Sequence, residues 1–293
     1  MRILVIGGSG MLGTDLQHEA RRRGHDVDAP SSAELDITDP TSVGALAARF
    51  GAYDWCLNCA AYTAVDKAET DIRLATEINT FGPGYLSSAC GMAGIKLIHV
   101  STDFVFDGAA EEPYREEAPT NPLSVYGRTK RDGELAVREA NPNASILRTS
   151  WLYGVNGSCF PRTIIRAWQA GKSLKVINDQ YGCPTFTVDL ARVFVDLVET
   201  NAYPDVYHAC GTTVTSWHNF AVMAIKAWTD LKGIDGPIEI AAIPTEEYPT
   251  PATRPRYSVL STEKIEQLGI APMRPLEQAL AEFVLSLDIP NAD

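Results

Sequence analysis

A short apolar run followed by three glycines restricts the fold of this chain more than any other feature. Residues 3–6 read Ile-Leu-Val-Ile, and Gly7, Gly10 and Gly13 follow at once. A continuous β-branched run of this length is typical of a strand buried on both faces of a parallel sheet. The next apolar residues recur at helical spacing, at Leu12, Leu16 and Ala20. The glycines are therefore predicted to join a strand to a helix.

A strand-to-helix turn is the setting in which a glycine loop binds a dinucleotide. Gly7 permits a tight turn, Gly10 lets backbone N–H groups approach a pyrophosphate, and Gly13 allows the helix to pack closely on the strand. The helix N-terminus adds partial positive charge. Although the spacing is G-x-x-G-x-x-G rather than G-x-G-x-x-G, we predict a dinucleotide site here, with Met11 and Leu12 among its residues.

Strand-like and helix-like patterns alternate through the first half of the chain. The predicted strands are 2–7, 25–29, 54–60, 95–101 and 144–149. The predicted helices are 12–23, 40–50, 71–92 and 124–139. This alternation predicts an α/β fold with a Rossmann-like, doubly wound parallel sheet, in which ligands bind at the carboxyl ends of the strands.

The second half is less regular and carries most of the prolines. We predict a dinucleotide-binding domain at residues 1–154, to which residues 187–212 return through one helix and one strand. Residues 155–186 and 213–293 are then expected to form a smaller C-terminal α/β domain. A chain of 293 residues is long enough for one large and one small domain.

Composition narrows the class of protein. The formal net charge of −12 argues against nucleic-acid binding, which needs a basic face. No stretch approaches the roughly 18 consecutive apolar residues of a membrane helix, and the chain enters its first strand directly, so we expect a cytoplasmic protein. Cys56 and Cys59 have the spacing of metal ligands, but no second pair completes a zinc site. The six cysteines are therefore expected to be free thiols, and none of them is assigned as a metal ligand.

Tyr126 and Lys130 lie four residues apart and should share one face of a helix. A nearby ammonium favours the phenolate, so we expect the pKa of Tyr126 to lie below its usual value of about 10. Such a phenol exchanges a proton with a carbonyl or alcohol oxygen near neutral pH. This spacing also occurs by chance on many amphipathic helices. The pair therefore indicates a catalytic role only in combination with the glycine loop.

Several longer segments together resemble the extended short-chain dehydrogenase/reductases, and among them the dTDP-4-dehydrorhamnose reductases. The resemblance covers nearly the whole chain. The matching segments are Asn58–Glu69, Ser101–Gly108, Tyr126–Lys130, Arg148–Gly154, Val176–Gly182 with Pro184 and Thr185, and Pro249–Pro255.

The resemblance implies a reduction of the C4 keto group of dTDP-4-dehydro-β-L-rhamnose, with hydride delivered by a nicotinamide. In that reaction Tyr126 donates a proton to the developing alkoxide, and Lys130 holds the nicotinamide ribose. Thr102 hydrogen-bonds the same oxygen and stabilises its charge. By the same resemblance, residues 155–186 and 213–293 bind the sugar nucleotide.

The resemblance also implies residues that line the two ligands. Asp103 and Trp151 match positions that contact the sugar. The cofactor residues implied beyond the glycine loop are Asp36, Ile37, Ala61, Tyr62 and Thr63. Arg254 and Arg256 suit the diphosphate because a guanidinium fork matches phosphate oxygens. Taken alone, Trp151 is equally well explained as a core residue, Asp103 as a turn cap, and the two arginines as surface residues.

The cofactor and the reaction each leave an alternative open. Pro30 stands where an NAD-specific site usually carries an acid, although Asp28 is close, so NADPH is favoured and NADH stays open. Phe104 cannot act as the acid of a sugar-nucleotide dehydratase, which disfavours dehydration. A reductase or 4-epimerase of another dTDP-4-keto-6-deoxyhexose remains open. So does a non-catalytic subunit, because the regulatory subunit of eukaryotic methionine adenosyltransferase resembles this family.

The assembly is also left open between a monomer and a homodimer. Some members of the family are described as dimers bridged by Mg²⁺ through surface carboxylates. Asp15, just after the glycine loop, is a candidate for one such ligand. A carboxylate in the first turn of a helix is equally well explained by its interaction with the helix dipole.

Overall fold

The computed structural model describes residues 1–44 and 53–287. Its strands are β1 (Arg2–Ile6), β2 (Asp26–Asp28), β3 (Trp55–Asn58), β4 (Lys96–Thr102), β5 (Ser145–Thr149), β6 (Leu152–Tyr153), β7 (Leu174–Ile177), β8 (Tyr181–Gly182), β9 (Thr185–Phe186), β10 (Val206–His208), β11 (Thr215–Ser216) and β12 (Ile240–Ile243). The five strands predicted in the first half are confirmed, with ends that differ by one or two residues.

The α-helices are Met11–Arg22, Val65–Ala68, Ile72–Thr76, Gly82–Ala93, Val125–Ala140, Phe160–Gln169, Thr187–Thr200, Trp217–Lys232, Glu263–Glu266 and Leu276–Leu285. Of the helix predicted at 40–50, residues 40–44 are helical and 45–50 lie outside the described residues. None of the helices in the described ranges has the length and apolarity that a membrane crossing requires.

The helix predicted at 71–92 is interrupted by a wider turn. Glu77–Phe81 is π-helical and joins Ile72–Thr76 to Gly82–Ala93. Pro83 lacks the N–H that would bond the carbonyl of Asn79 in a regular helix. A local π turn accommodates that missing donor.

Six parallel strands form the central sheet, in the order β10-β5-β4-β3-β1-β2. β1 pairs with β2 on one side and with β3 on the other, so the direction of the strand order reverses at β1. In doubly wound sheets a ligand binds in the crevice beside such a reversal, at the carboxyl ends of the strands. The predicted α/β fold with a doubly wound parallel sheet is confirmed.

Both faces of the sheet are covered by helices, as the apolar run at the start of the chain predicts. Ile3 and Val5 face a core shared with Met11–Arg22 and Thr187–Thr200. Leu4 faces the opposite core, shared with Gly82–Ala93 and Val125–Ala140. All three side chains have no exposed surface, which explains why the run is continuous rather than alternating.

The remaining strands pair outside the central sheet. β6 pairs with β9 and β7 with β12 in parallel, whereas β8 pairs with β11 in antiparallel orientation. Aromatic side chains from the last helices, including Phe220, Trp228 and Phe283, form a separate core around Tyr153. The division of the chain into two domains at the predicted boundaries stays a prediction.

Candidate active site

A cleft of about 650 Å³ opens at the carboxyl ends of β1, β3, β4 and β5. Most of the residues that the sequence predicts for the site line this cleft. They are Gly7, Gly10, Met11, Leu12, Gly13, Ala61, Thr63, Thr102, Asp103, Tyr126, Lys130, Trp151 and Arg254.

The glycine loop forms one end of the cleft. Gly7 has a φ of 77°, and the Gly10 N–H donates to the Gly7 carbonyl over 3.0 Å. A Cβ at Gly13 would lie 2.2 Å from that carbonyl oxygen, so only glycine allows the helix to start this close to the strand. The first turn of the helix Met11–Arg22 carries no acidic residue. Its free N–H groups and positive end therefore suit a pyrophosphate.

Tyr126 and Lys130 enter the cleft from the start of the helix Val125–Ala140. The hydroxyl of Ser124 caps this helix by accepting the N–H of Gly127 over 3.1 Å. A Cβ at Gly127 would lie 2.2 Å from the carbonyl oxygen of Phe104, so the helix can approach the strand end only with glycine at this position. The Phe104 ring meets the Tyr126 ring edge to face at 5.6 Å. Local capping and one close contact thus place the phenol against the end of β4.

The prediction that the pKa of Tyr126 lies below its ordinary value is wrong. Burial raises the pKa of Tyr126 to about 12; the hydroxyl of Thr102 acts to lower it and the charge of Asp103 to raise it. The side-chain nitrogen of Lys130 lies against β4, where it donates to the Val100 carbonyl over 2.6 Å. The phenol therefore holds its proton at neutral pH.

Thr102 and Asp103 end β4 and begin a 3₁₀ turn. The Thr102 hydroxyl donates to the Asp103 carboxylate over 3.0 Å and accepts the N–H of Phe104 over 3.2 Å. Burial raises the pKa of Asp103 to about 6, although the hydroxyls of Ser258 and Thr102 lower it. Asp103 therefore helps to form the turn, as expected of a turn cap. It also lines the cleft, where a residue that contacts the sugar is expected to lie.

Trp151 forms a wall of the cleft, and Trp217 stacks on it. The two rings lie 3.6 Å apart and nearly parallel, and both line the cleft. Trp151 has a φ of 47°, which is rare for a bulky residue and turns its side chain across the end of β5. Sequence reasoning missed Trp217, because a tryptophan at the start of a distant helix carries no local signal for a site.

Arg254 and Arg256 differ in their exposure and in their partners. Arg254 lines the cleft and makes a two-pronged ion pair with Asp66, at 2.9 and 2.8 Å. It also donates to the hydroxyl of Thr250 over 2.8 Å. The side chain of Arg256 is 75% exposed and lies 3.9 Å from Asp179. The carboxylate of Asp66, in the first turn of the helix Val65–Ala68, therefore holds Arg254 in place.

Three predicted cofactor residues do not line the cleft. Ile37 packs in the core with Leu4, and Asp36 accepts the N–H and the hydroxyl of Thr38. Tyr62 donates its backbone N–H to Asn79 and its hydroxyl to Asp71. Their proposed contact with a cofactor stays a prediction.

Further residues line the cleft without having been assigned a role. The hydroxyls of Ser101 and Thr149 are buried there and, within the described ranges, have no hydrogen-bond partner. Such groups are unusual in folded proteins and point to a ligand or to bound water. Their position at the carboxyl ends of β4 and β5 was the sequence signal that could have identified them as residues of the site. Residues 156–158 also border the cleft, and nothing in their local sequence indicates this.

Asp15 is engaged within the protein. Its carboxylate accepts the Thr187 hydroxyl over 2.5 Å and the Asn156 amide over 3.3 Å. In residues 1–44 and 53–287, no group of three or more histidine, cysteine or acidic side chains is placed to hold a metal ion. The structure therefore gives no support to a Mg²⁺ ion at Asp15.

Comparison with known proteins places this site in context. The sequence profile of one family, described as the RmlD substrate binding domain, matches residues 1–289. A dTDP-4-dehydrorhamnose reductase of Streptomyces griseus is 41% identical over 286 residues, covering 96% of this chain and 92% of that protein. A dTDP-4-keto-6-deoxy-D-glucose reductase of Streptomyces niveus is 38% identical over 293 residues, covering 100% and 98%.

A solved structure is similarly close. The dTDP-4-dehydrorhamnose reductase of Bacillus anthracis, crystallised in complex with NADP, superposes with a TM-score of 0.90. It is 32% identical in sequence, and the match covers 98% of this chain and 99% of that one.

Proposed function

The chain belongs to the RmlD substrate binding domain family, and we propose that it is an NAD(P)H-dependent reductase of the C4 keto group of dTDP-4-dehydro-β-L-rhamnose, which yields dTDP-L-rhamnose. One observation carries the proposal. Thr102, Tyr126 and Lys130 converge with the glycine loop in a single cleft at the reversal of the strand order.

The cofactor site combines the glycine loop and the helix Met11–Arg22 for the pyrophosphate with Lys130 for the nicotinamide ribose. The bound dinucleotide supplies the hydride that reduces the carbonyl. NADPH is favoured over NADH because Asp28 is already engaged: its carboxylate accepts Arg2 over 2.9 Å and the Tyr53 hydroxyl over 2.6 Å. A carboxylate held in this way is poorly placed to bind the ribose hydroxyls that identify NAD.

Tyr126 is the proton donor of the reaction. With a pKa of about 12, the phenol is protonated at neutral pH and is ready to transfer its proton to the oxygen that becomes the C4 hydroxyl. Thr102 is adjacent, and its hydroxyl hydrogen-bonds the same oxygen as negative charge develops there. Phe104 stands at the position where a dehydratase needs an acid, and its ring packs on Tyr126, which supports reduction over dehydration.

Asp103 and Trp151 bind the sugar, and Arg254 binds the diphosphate of the sugar nucleotide. Residues 155–186 and 213–293 form the part of the protein that holds the substrate, and residues 1–154 with 187–212 hold the cofactor. This division is supported by Trp217, which reaches the cleft from the second part of the chain. The free thiols of all six cysteines support a cytoplasmic location, where the protein works as a monomer or homodimer.

The proposal is tested by following oxidation of NADPH and NADH with dTDP-4-dehydro-β-L-rhamnose generated in situ. We expect rapid oxidation, a product that is dTDP-L-rhamnose, and a higher kcat/KM for NADPH. Tyr126→Phe should bind NADPH normally and lose at least a hundredfold in kcat, the usual scale of general acid catalysis. Full activity of Tyr126→Phe would overturn the assignment of the proton donor.

A parallel assay addresses the identity of the sugar. The Streptomyces niveus relative is named for dTDP-4-keto-6-deoxy-D-glucose and resembles the chain over its whole length. A higher kcat/KM for that sugar would retain the reductase and replace the substrate. Normal NADPH binding with no reduction of either sugar would contradict the reductase and favour a non-catalytic subunit.

A further inference from the structure

A chain of three buried polar side chains lies beneath the proposed cofactor site. Asn58 and His99 have no exposed surface, and Lys130 is 2% exposed. The Asn58 amide nitrogen lies 3.0 Å from His99 Nδ1, and His99 Nε2 lies 3.3 Å from Lys130 Nζ. In such a buried chain each donor must face an acceptor, so the contacts restrict which atom can carry each proton.

The backbone of Ala60 determines which way the Asn58 amide points. The Ala60 N–H donates to the Asn58 carbonyl oxygen over 3.1 Å. An N–H group can only donate, so the amide oxygen must face it and the amide NH₂ must face His99 Nδ1. Nδ1 is therefore the acceptor, and the single proton of the neutral imidazole lies on Nε2.

The Nε2 proton faces Lys130. An ammonium has three donors and no lone pair, so it cannot accept that proton, whereas an uncharged amine can. The amine retains an N–H for the Val100 carbonyl, to which Lys130 donates over 2.6 Å. The geometry therefore matches an uncharged lysine and not a charged one.

We propose that His99 is a positioning residue which, held in its Nε2–H tautomer by Asn58, disfavours the ammonium form of Lys130 in the cofactor-free protein. The proposal rests on the proposed cofactor site. When the anionic cofactor enters, Lys130 donates to it as an ammonium. At a pH where the free protein holds Lys130 as the amine, binding is thereby linked to uptake of one proton from solvent.

The other groups that act on Lys130 are consistent with this arrangement. Burial lowers the pKa of Lys130 to about 8, against the charge of Glu134, which raises it. Glu134, one turn along the same helix, is engaged by Arg148 at 2.7 Å. Burial raises the pKa of the Cys59 thiol to about 12, so it is uncharged. Burial lowers the pKa of His99 well below its ordinary value, so its imidazole is neutral.

The tautomer is measured directly in the cofactor-free protein. Labelling all histidines with ¹⁵N and recording long-range ¹H–¹⁵N correlation spectra identifies which ring nitrogen carries the proton. The signal of His99 is assigned by its loss in His99→Gln. We expect the proton on Nε2, and a proton on Nδ1 would overturn the proposal. This spectrum needs neither substrate nor cofactor, so its outcome is independent of the proposed reaction.

The linkage is measured by NADPH fluorescence titrations from pH 6 to 11 without substrate. In the unaltered protein, affinity should fall about tenfold per pH unit above the pKa of Lys130. His99→Gln offers an oxygen that accepts from an ammonium, so the onset of this fall should move up by at least one pH unit. His99→Phe keeps the burial and removes the Nε2–H without offering an acceptor, so its onset should move up by less than that of His99→Gln.

Equal shifts in the two variants, or no shift in His99→Gln, would contradict the role of His99. A loss of NADPH binding in the unaltered protein at every pH would contradict the proposed function instead. Should the variants fail to fold, as judged by circular dichroism, sequential backbone and side-chain assignment of the unaltered protein identifies the His99 signal, and its spectrum still decides the tautomer.

Discussion

Arg148 on β5 forms a buried two-pronged ion pair with Glu134 on the helix that carries Tyr126 and Lys130. The guanidinium donates to the two carboxylate oxygens over 2.9 and 2.7 Å, and the side chains are only 5% and 7% exposed. This pair ties the catalytic helix to the sheet two turns beyond Tyr126. The site is thus held by electrostatics as well as by packing.

Removing one member of this pair should be costly. Glu134→Gln leaves the Arg148 guanidinium buried without a counter-charge, which lowers the free energy of unfolding by about 3–5 kcal/mol. The matched control is Asp230→Asn, which breaks the exposed pair with Lys226 and should change stability by less than about 0.5 kcal/mol. Urea unfolding measures both. A double replacement, Glu134→Leu with Arg148→Met, should recover part of the lost stability. Equal losses in Glu134→Gln and Asp230→Asn would contradict the stabilising role of the buried pair.

Gly13→Ala should weaken cofactor binding. The added methyl would lie 2.2 Å from the Gly7 carbonyl oxygen, so the loop must shift away from its phosphate-binding position. We expect at least a tenfold loss of NADPH affinity and about 1–3 kcal/mol of stability, the usual cost of overpacking. Gly44→Ala is the control, because Gly44 is helical and a Cβ there meets open space. Fluorescence titration and thermal unfolding compare the two, and unchanged NADPH affinity in Gly13→Ala would contradict the proposed site.

Arg254→Met should raise the KM for the sugar nucleotide by about 10- to 100-fold, the scale of a lost charge-assisted hydrogen bond. The KM for NADPH should stay unchanged, because the cofactor phosphates bind at the glycine loop. Arg256→Met replaces a neighbouring arginine that is largely exposed, and it should leave both constants unchanged. Steady-state kinetics distinguish the two arginines, and similar effects of both would indicate a general charge effect.

Asp103 should make stability depend on pH in a direction opposite to most carboxylates. Its pKa is raised to about 6 by burial, so the folded protein binds the proton more tightly than the unfolded chain. The stabilising contribution of the protonated Asp103 carboxyl group is therefore fully present below about pH 4 and declines as pH rises to about 6. Relative to the native protein, Asp103→Asn should gain on the order of 2–3 kcal/mol over this range.

Asp107→Asn provides the opposite sign in the same experiment. The hydroxyl of Tyr114 lowers the pKa of Asp107, so the native protein gains stability from this carboxylate as pH rises from that lowered pKa to the ordinary value of about 4. The variant should lose stability relative to the native protein over this acid range and stay parallel to it above about pH 5. Urea unfolding from about pH 2.5 to about pH 8 tests both variants, and parallel pH curves for native protein and Asp103→Asn would contradict the assigned burial effect.

Local patterns were sufficient to predict the framework of the site. The apolar run and its glycines predicted β1, the loop and the helix Met11–Arg22, because strand burial and helix initiation depend on near neighbours in the chain. The spacing of Tyr126 and Lys130 predicted that both lie on one helix. Alternation of strands and helices predicted the parallel sheet and the edge at which its cleft opens.

Contacts between distant segments could not be predicted in this way. Trp217 stacks on Trp151, and Arg254 pairs with Asp66, 188 residues away, yet no local pattern connects either pair. The proton state of Tyr126 was predicted with the wrong sign for the same reason. Its pKa depends on how much water the assembled cleft excludes, which the four-residue spacing to Lys130 does not reveal.

The sequence by itself determined the order of strands and helices, the glycine loop, and the residue types available for catalysis, because these depend on spacing along the chain. Only the tertiary structure decided which side chains face the cleft, that Asp66 holds Arg254, and that His99 stands beneath Lys130. Those relationships arise where separate segments meet. Burial and the direction of each hydrogen bond then set the charge of every group in the site.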